Sequence, residues 1–252
     1  MIVANDNAKL SGAVALVTGG ARRIGAEIVT QLHAAGMNVV IHHHKSQAEA
    51  NALADRLNRQ RANSAMTLRA NLLHTTALAP LVREAAGQWG RLDLLVNNAS
   101  TFYPTPLGEI TEAQWDDLTG SNLKAPLFLA QAAAPHLRER RGSIVNLIDI
   151  HGFKPLPEHP VYCAAKAGLA MLTRSLAREL APEIRVNGIA PGAILWPEGA
   201  PMAPESETSL VDSIPLGGMG SPADIGRTVR FFAQSAPYIT GQILAVDGGR
   251  SL

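Results

Sequence analysis

Val14-Ala15-Leu16-Val17-Thr18-Gly19-Gly20-Ala21-Arg22-Arg23-Ile24-Gly25 joins a short apolar run to a glycine-containing turn, and Glu27, Ile28, Leu32 and Ala35 continue it as an amphipathic segment. The run has strand length, the turn bends where a Cβ is missing, and the segment after it repeats apolar residues at helical spacing. Glycines at such a junction let backbone N–H groups and the positive end of the following helix approach a pyrophosphate. Taken alone, the same turn also suits a plain strand-to-helix connection.

The pattern repeats along the chain. Strands are expected at 14–18, 38–42, 65–69, 92–97, 142–148, 184–189 and 242–246, separated by helices near 23–35, 46–60, 75–89, 111–137, 161–181 and 222–234. Apolar strands alternating with amphipathic helices predict an α/β fold, a Rossmann-type doubly wound parallel sheet of about seven strands flanked by helices. No low-complexity linker divides the chain, so residues 1–252 are read as one domain. The Pro-, Gly- and Ser-rich stretch at about 194–220 lacks a clear period and is expected to be a substrate lid.

Of the 252 residues, 46% are hydrophobic and 17% charged, enough apolar material for a core and too little charge for a disordered polymer. Basic and acidic residues number 22 and 21, so no basic field exists to drive nucleic-acid binding. One cysteine, Cys163, excludes an internal disulfide and a cysteine-held metal cluster and fits the reducing cytoplasm. The N-terminus lacks a basic flank before an apolar run, and no apolar stretch reaches the roughly 18–20 residues of a membrane span. Neither export nor membrane insertion is expected.

Where a dinucleotide fold closes its second strand, an NAD enzyme presents Asp or Glu to the ribose 2′-hydroxyl. Here stand His42-His43-His44-Lys45-Ser46. A carboxylate would repel a 2′-phosphate, whereas Lys45, Ser46 and the imidazole N–H groups of His43 and His44 would bind it, which points to NADPH. Three histidines also suggest a metal, but alternation along a strand turns His42 and His44 one way and His43 the other, with no Cys, Asp or Glu read close by; no metal is expected. A solvated strand end is the plainer alternative.

Asn97-Asn98-Ala99-Ser100 ends another strand, in the crevice where open α/β sheets place ligands. Tyr162 and Lys166 share a helical face through their four-residue spacing, where the ammonium is expected to stabilise a phenolate and lower the tyrosine's pKa toward working pH. In isolation that pair is also an ordinary surface-packing pattern.

Together these segments resemble the short-chain dehydrogenase/reductase family across residues 11 to 250, with Val186-Asn187-Gly188-Ile189-Ala190-Pro191-Gly192 and Val246-Asp247-Gly248-Gly249 adding to the match. The resemblance implies hydride transfer from a nicotinamide at the sheet's C-terminal edge. It implies Tyr162 as proton donor, with Lys166 beside it and Asn122 helping to hold that lysine through water. It implies cofactor contacts at Gly19, Arg22, Arg23, Ile24 and Gly25, at Asn98, Ala99 and Ser100, and at Asn71, Leu72, Leu147, Lys166, Pro191 and Gly192.

Two departures narrow the reading. Arg23 stands where the middle glycine of the family turn is expected, and Asp149 stands thirteen residues before Tyr162, where ordinary members keep a serine for the substrate carbonyl. A carboxylate facing that oxygen would oppose the negative charge that grows during ketone reduction. It suits instead a nitrogen heterocycle, whose amino and ring N–H groups it accepts from. Arg23, the HHHKS strand end, the NNASTFYPTPL segment at 97–107, and Asp149 with Tyr162 and Lys166 are similar to the pteridine reductases of this family.

That resemblance implies NADPH-dependent reduction of dihydropterins, extending to dihydrofolate. The pterin would lie between nicotinamide and Phe102, with Ser100 and Arg23 at its polar edge, Asp149 and Tyr162 at the reacting side, and Leu195 or Trp196 as a cover. It also implies a homotetramer; with the chain stopping soon after Val246-Asp247-Gly248-Gly249, no longer tail is expected to reach a neighbouring subunit. Two other functions stay open: an NADPH-dependent reductase of another carbonyl or imine, and a non-catalytic NADP-binding sensor.

Overall fold

The computed structural model describes residues 10–195 and 204–252. Seven parallel strands form one sheet in the order β3-β2-β1-β4-β5-β6-β7. They are β1 (Val14–Val17), β2 (Asn38–His43), β3 (Ala65–Arg69), β4 (Leu94–Asn97), β5 (Ser143–Leu147), β6 (Arg185–Pro191) and β7 (Ile243–Val246). The helices are α1 (Arg23–Ala34), α2 (Gln47–Gln60), α3 (Leu78–Gly87), α4 (Glu112–Thr119), α5 (Ala125–Arg140), α6 (Pro160–Glu179), α7 (Pro204–Asp212) and α8 (Pro222–Gln234).

β1, β4 and β5 are buried along their whole length, which explains their nearly continuous apolar sequence. Alternate residues feed two cores. Ala15 and Val17 pack with Ile28, Leu32, Leu53, Leu57, Val229 and Phe232 of α1, α2 and α8; Val14 and Leu16 pack with Leu81, Val82, Leu129 and Leu137 of α3 and α5. Each such leucine or valine withdrawn from water contributes about 1.5–3 kcal/mol before entropy is counted.

The chain runs outward from β1 to β3 and then crosses back to place β4 against β1. Strand order reverses there, and the crevice opens above the carboxyl ends of β1 and β4.

Two expectations need correction, and one stretch read without a period holds a helix. The helix expected over 111–137 is two helices, capped at the start by Thr111 and Gln114 and interrupted at Gly120–Lys124 by a π-helical turn that holds Asn122. Apolar spacing alone cannot register the one extra residue per turn. The 194–220 stretch contains α7, whose nine residues are too few to reveal a period. β2 ends at His43, so His44 does not continue the alternation, and both His42 and His43 are buried.

Candidate active site

The turn after β1 is built from hydrogen bonds across the switch point. Thr18 Oγ1 donates to the Val96 carbonyl and accepts from the N–H groups of Asn98 and Ala99. Asn98 Nδ2 donates to the carbonyls of Thr18 and Gly19 at 2.9 and 3.1 Å. A Cβ on Gly25 would lie 2.1 Å from the Gly19 carbonyl oxygen and 2.6 Å from Asn98 Nδ2, so the first turn of α1 reaches the strand end only because residue 25 has none. Arg23 has φ of 52°, a left-handed conformation that costs a side-chain-bearing residue about 1–2 kcal/mol and that glycine would accept freely. The departure from the family turn keeps the glycine backbone and adds an exposed guanidinium at the cleft.

His42, which sequence reasoning left out of the site, braces this turn. Its Nδ1 accepts from the Gly19 N–H at 3.1 Å and its Nε2 donates to the Ala70 carbonyl at 3.2 Å, the one tautomer that satisfies both. Burial pushes its pKa down to about 4, so the ring is neutral.

Two adjoining cavities lie over the crevice, and Ser100 lines both. The first, about 420 Å³, takes in Gly19, Arg22, His43, His44, Lys45, Ser46, Asn71, Leu72 and Ala99. Lys45 and His44 are exposed, whereas His43 is buried, its Nδ1 has no hydrogen-bond partner, and burial lowers its pKa. Glu49 also stands at this end, 3.9 Å from Arg22 Nε, which corrects the expectation that no acidic residue lies near the histidines: the first turn of α2 returns it toward them.

The second cavity, about 450 Å³, takes in Arg23, Ile24, Asn98, Phe102, Leu147, Asp149, Tyr162, Lys166, Pro191, Gly192 and Leu195. His151, Leu156, Leu210, Met219 and Arg250 line it too, and sequence reading did not find them, because α7 and the C-terminal turn reach the cleft only through tertiary packing. Trp196 lies outside the described residues.

Tyr162 Oη donates to Asp149 Oδ2 at 2.7 Å, and Asp149 Oδ1 accepts from the His151 N–H at 2.9 Å. The carboxylate therefore caps the short 3₁₀ turn Ile150–Gly152 and holds the tyrosine at once. α6 is located by a buried polar thread: Asn97 of β4 donates to Asn146 of β5, which donates to Thr173 of α6. Lys166 Nζ donates to the Leu147 carbonyl at 2.9 Å and stands 5.6 Å from the Tyr162 ring centre.

The electrostatics correct one expectation. Burial, and then the Asp149 charge, push the Tyr162 pKa well above its usual value rather than down toward working pH. Desolvation lowers Lys166 to about 8, against an upward pull from Asp149. The ammonium spends its hydrogen bond on a carbonyl, while the phenol faces a negative charge.

Asn122 does not touch Lys166 directly. Its Oδ1 accepts from Ser100 Oγ at 2.6 Å, and its Nδ2 donates to the carbonyls of Thr101 and Leu118, so the π-helical turn holds the Ser100 hydroxyl in place. Phe102 is 46% exposed and so is no buried loop anchor. Its ring stacks on His159 at 4.7 Å and meets Tyr162 edge-on at 4.8 Å.

A glycine-turned, doubly wound sheet with a Tyr-Lys pair at its switch point defines the class of nicotinamide-dependent oxidoreductases. The family model described as enoyl-(acyl carrier protein) reductase matches residues 19–251. The chain is 40% identical to pteridine reductase 1 of Leishmania tarentolae over 280 residues, covering 95% of this chain and 96% of the relative. It is 38% identical to 3-oxoacyl-(acyl-carrier-protein) reductase FabG of Staphylococcus aureus over 238 residues, 93% and 96% of the two chains. An uncharacterised oxidoreductase of Methylorubrum extorquens is 36% identical over 247 residues, 96% and 98%. The chain belongs to the short-chain dehydrogenase/reductase family and resembles pteridine reductase within it. Among the described residues no helix is long and apolar enough to cross a membrane.

Proposed function

We propose that the protein is an NADPH-dependent reductase of dihydropteridines, converting dihydrobiopterin, dihydromonapterin and dihydrofolate to their tetrahydro forms. The observation that carries the reading is the 2.7 Å contact between Tyr162 and the Asp149 carboxylate, in the position where a ketone reductase needs a neutral donor. The resemblance to pteridine reductase 1 supports it.

The residues present fit a dinucleotide. The Gly19–Gly25 approach leaves backbone N–H groups at the start of α1 for a pyrophosphate, and His43, whose buried Nδ1 has no hydrogen-bond partner, lines a cavity rimmed by Arg22, Lys45 and Ser46. The three last-named side chains and His44 would hold a 2′-phosphate. Asn71, Leu72 and Ala99 would border the adenosine half, and Leu147, Pro191 and Gly192 the nicotinamide half. The bound nicotinamide supplies hydride to an electron-poor carbon of the pteridine.

The chain does the rest. Tyr162, its proton secured by burial and by Asp149, delivers that proton to the adjacent ring nitrogen. Asp149 accepts from the amino and ring N–H groups of the substrate and relays the replacement proton from water. Lys166 orients the nicotinamide ribose and keeps a positive charge beside the phenol. Asn122 acts through Ser100, which meets the polar edge of the pterin with Arg23. Phe102 offers its face to the ring, and residues 194–220 serve as lid, with Leu195, Leu210 and Met219 on the cleft wall.

A homotetramer in the cytoplasm completes the proposal, since exposed Trp115 and Phe128 on α4 and α5, and Phe231 and Leu244 on α8 and β7, are apolar faces an assembly would cover. The likeness to FabG favours a ketone substrate as the second reading. Consumption of NADPH and of NADH against dihydrobiopterin, dihydromonapterin, dihydrofolate and several 3-oxoacyl thioesters decides between them. Pterins are expected to outpace ketones, and the reverse order overturns the proposal.

A further inference from the structure

The C-terminal turn after β7 sends an arginine into the substrate cleft. Asp247 accepts from the N–H groups of Gly249 and Ser251, at 2.9 and 2.7 Å, and curls the chain so that Arg250 lines the cavity that holds Tyr162 and Asp149. Two contacts fix Arg250 there. Its Nε donates to Ser213 Oγ, just beyond α7, at 3.2 Å, and its carbonyl accepts from Lys154 Nζ at 3.1 Å. The guanidinium is thus oriented from one edge, leaving its two terminal nitrogens as a fork. Among the described residues no carboxylate pairs with it.

Arg23 lines the same cavity, and its acidic residue, Asp149, is already engaged by Tyr162 and the His151 N–H. The cavity that Arg250 lines also has apolar wall residues in Leu156, Leu195, Leu210 and Met219. A neutral polyol tail would find few partners on that wall, whereas a flat aryl spacer would bury well against it.

We infer that Arg250 is a specificity-determining residue that binds an anionic group at the outer end of the substrate, a carboxylate borne on an aryl-linked tail. The inference rests on the pteridine reading and makes dihydrofolate, with its glutamyl carboxylates, the preferred pteridine over dihydrobiopterin. A guanidinium fork matches a carboxylate with two parallel hydrogen bonds, a geometry lysine cannot reproduce.

The test compares wild type, Arg250→Met and Arg250→Lys with dihydrofolate, dihydroneopterin monophosphate and dihydrobiopterin, at low and high salt. Dissociation constants for each pteridine are read by tryptophan fluorescence quenching in the presence of NADP⁺. For Arg250→Met the ratio of kcat/KM for dihydrofolate to that for dihydrobiopterin is expected to fall about tenfold, through KM, with a matching loss in affinity. Arg250→Lys should recover part of it, and salt should weaken dihydrofolate more than dihydrobiopterin in wild type and Arg250→Lys but not in Arg250→Met. A ratio that falls for the monophosphate but not for dihydrofolate overturns the carboxylate assignment. An unchanged ratio for both anions overturns the role of Arg250 while leaving the pteridine reading intact. Failure of all three pteridines with turnover of 3-oxoacyl thioesters overturns the pteridine reading, and this inference with it.

Discussion

Tyr162 and Asp149, thirteen residues apart, meet at 2.7 Å with the phenol donating to the carboxylate. The same carboxylate caps the turn that follows β5, so the acid that faces the cleft is held rigidly by its own backbone. Replacing it with serine keeps a short capping side chain and removes the charge. Asp149→Ser should therefore leave the melting temperature close to wild type and lower kcat/KM for dihydropterins by about 100-fold, the lower range for a proton-handling group. Full retention of pterin turnover would remove the special role of the carboxylate.

The pH behaviour follows from Lys166. Burial lowers its pKa from the ordinary 10.5 to about 8, so kcat/KM should decline as pH rises through about 8 and the ammonium is lost. Tyr162, held above its usual value, does not set that limb. For stability the sign is opposite. Between about 8 and 10.5 the unfolded chain binds a proton that the folded chain does not, so this group's destabilising contribution is complete below the window and is relieved as pH climbs across it. Urea unfolding of wild type and Lys166→Met through that range should show a steeper rise for wild type.

Cofactor choice is expected to follow Lys45. Reversing its charge in Lys45→Asp places repulsion where a 2′-phosphate would bind and should raise the KM for NADPH about tenfold or more while sparing NADH. Equal weakening of both cofactors, measured by initial rates, would count against a 2′-phosphate contact.

Gly25 admits no side chain. A Cβ placed 2.1 Å from the Gly19 carbonyl oxygen must push α1 away from the turn. Gly25→Ala should cost on the order of 1–3 kcal/mol by denaturant titration and weaken NADPH binding further than that loss of stability alone explains. Unchanged binding would place the cofactor elsewhere.

Much of this molecule was legible before folding. The seven apolar runs, the turn at 18–25, and the Tyr162–Lys166 spacing are local signals, since strand length, missing Cβ atoms and helical period are properties of neighbouring residues. Asp149 and Arg23 were readable as departures from a family pattern at known offsets. His42 and Arg250 were not, because each acts on a partner distant in sequence: Gly19 lies 23 residues from His42, and Ser213 lies 37 from Arg250. The interruption at Gly120–Lys124 was hidden because a π turn is a change in backbone hydrogen bonding that the residue types on either side do not announce.

The order of residues alone determined the α/β alternation, the glycine turn and the presence of an acid, a tyrosine and a lysine at fixed offsets, because those depend on chain-local sterics and period. Tertiary structure decided what these groups do to one another. Only packing brings the Asp149 charge against the Tyr162 hydroxyl, strips water from Lys166, and sets Arg250 on the wall of the cleft. Electrostatic character depends on distance and solvent exclusion, and neither is written in the spacing of residues along a chain.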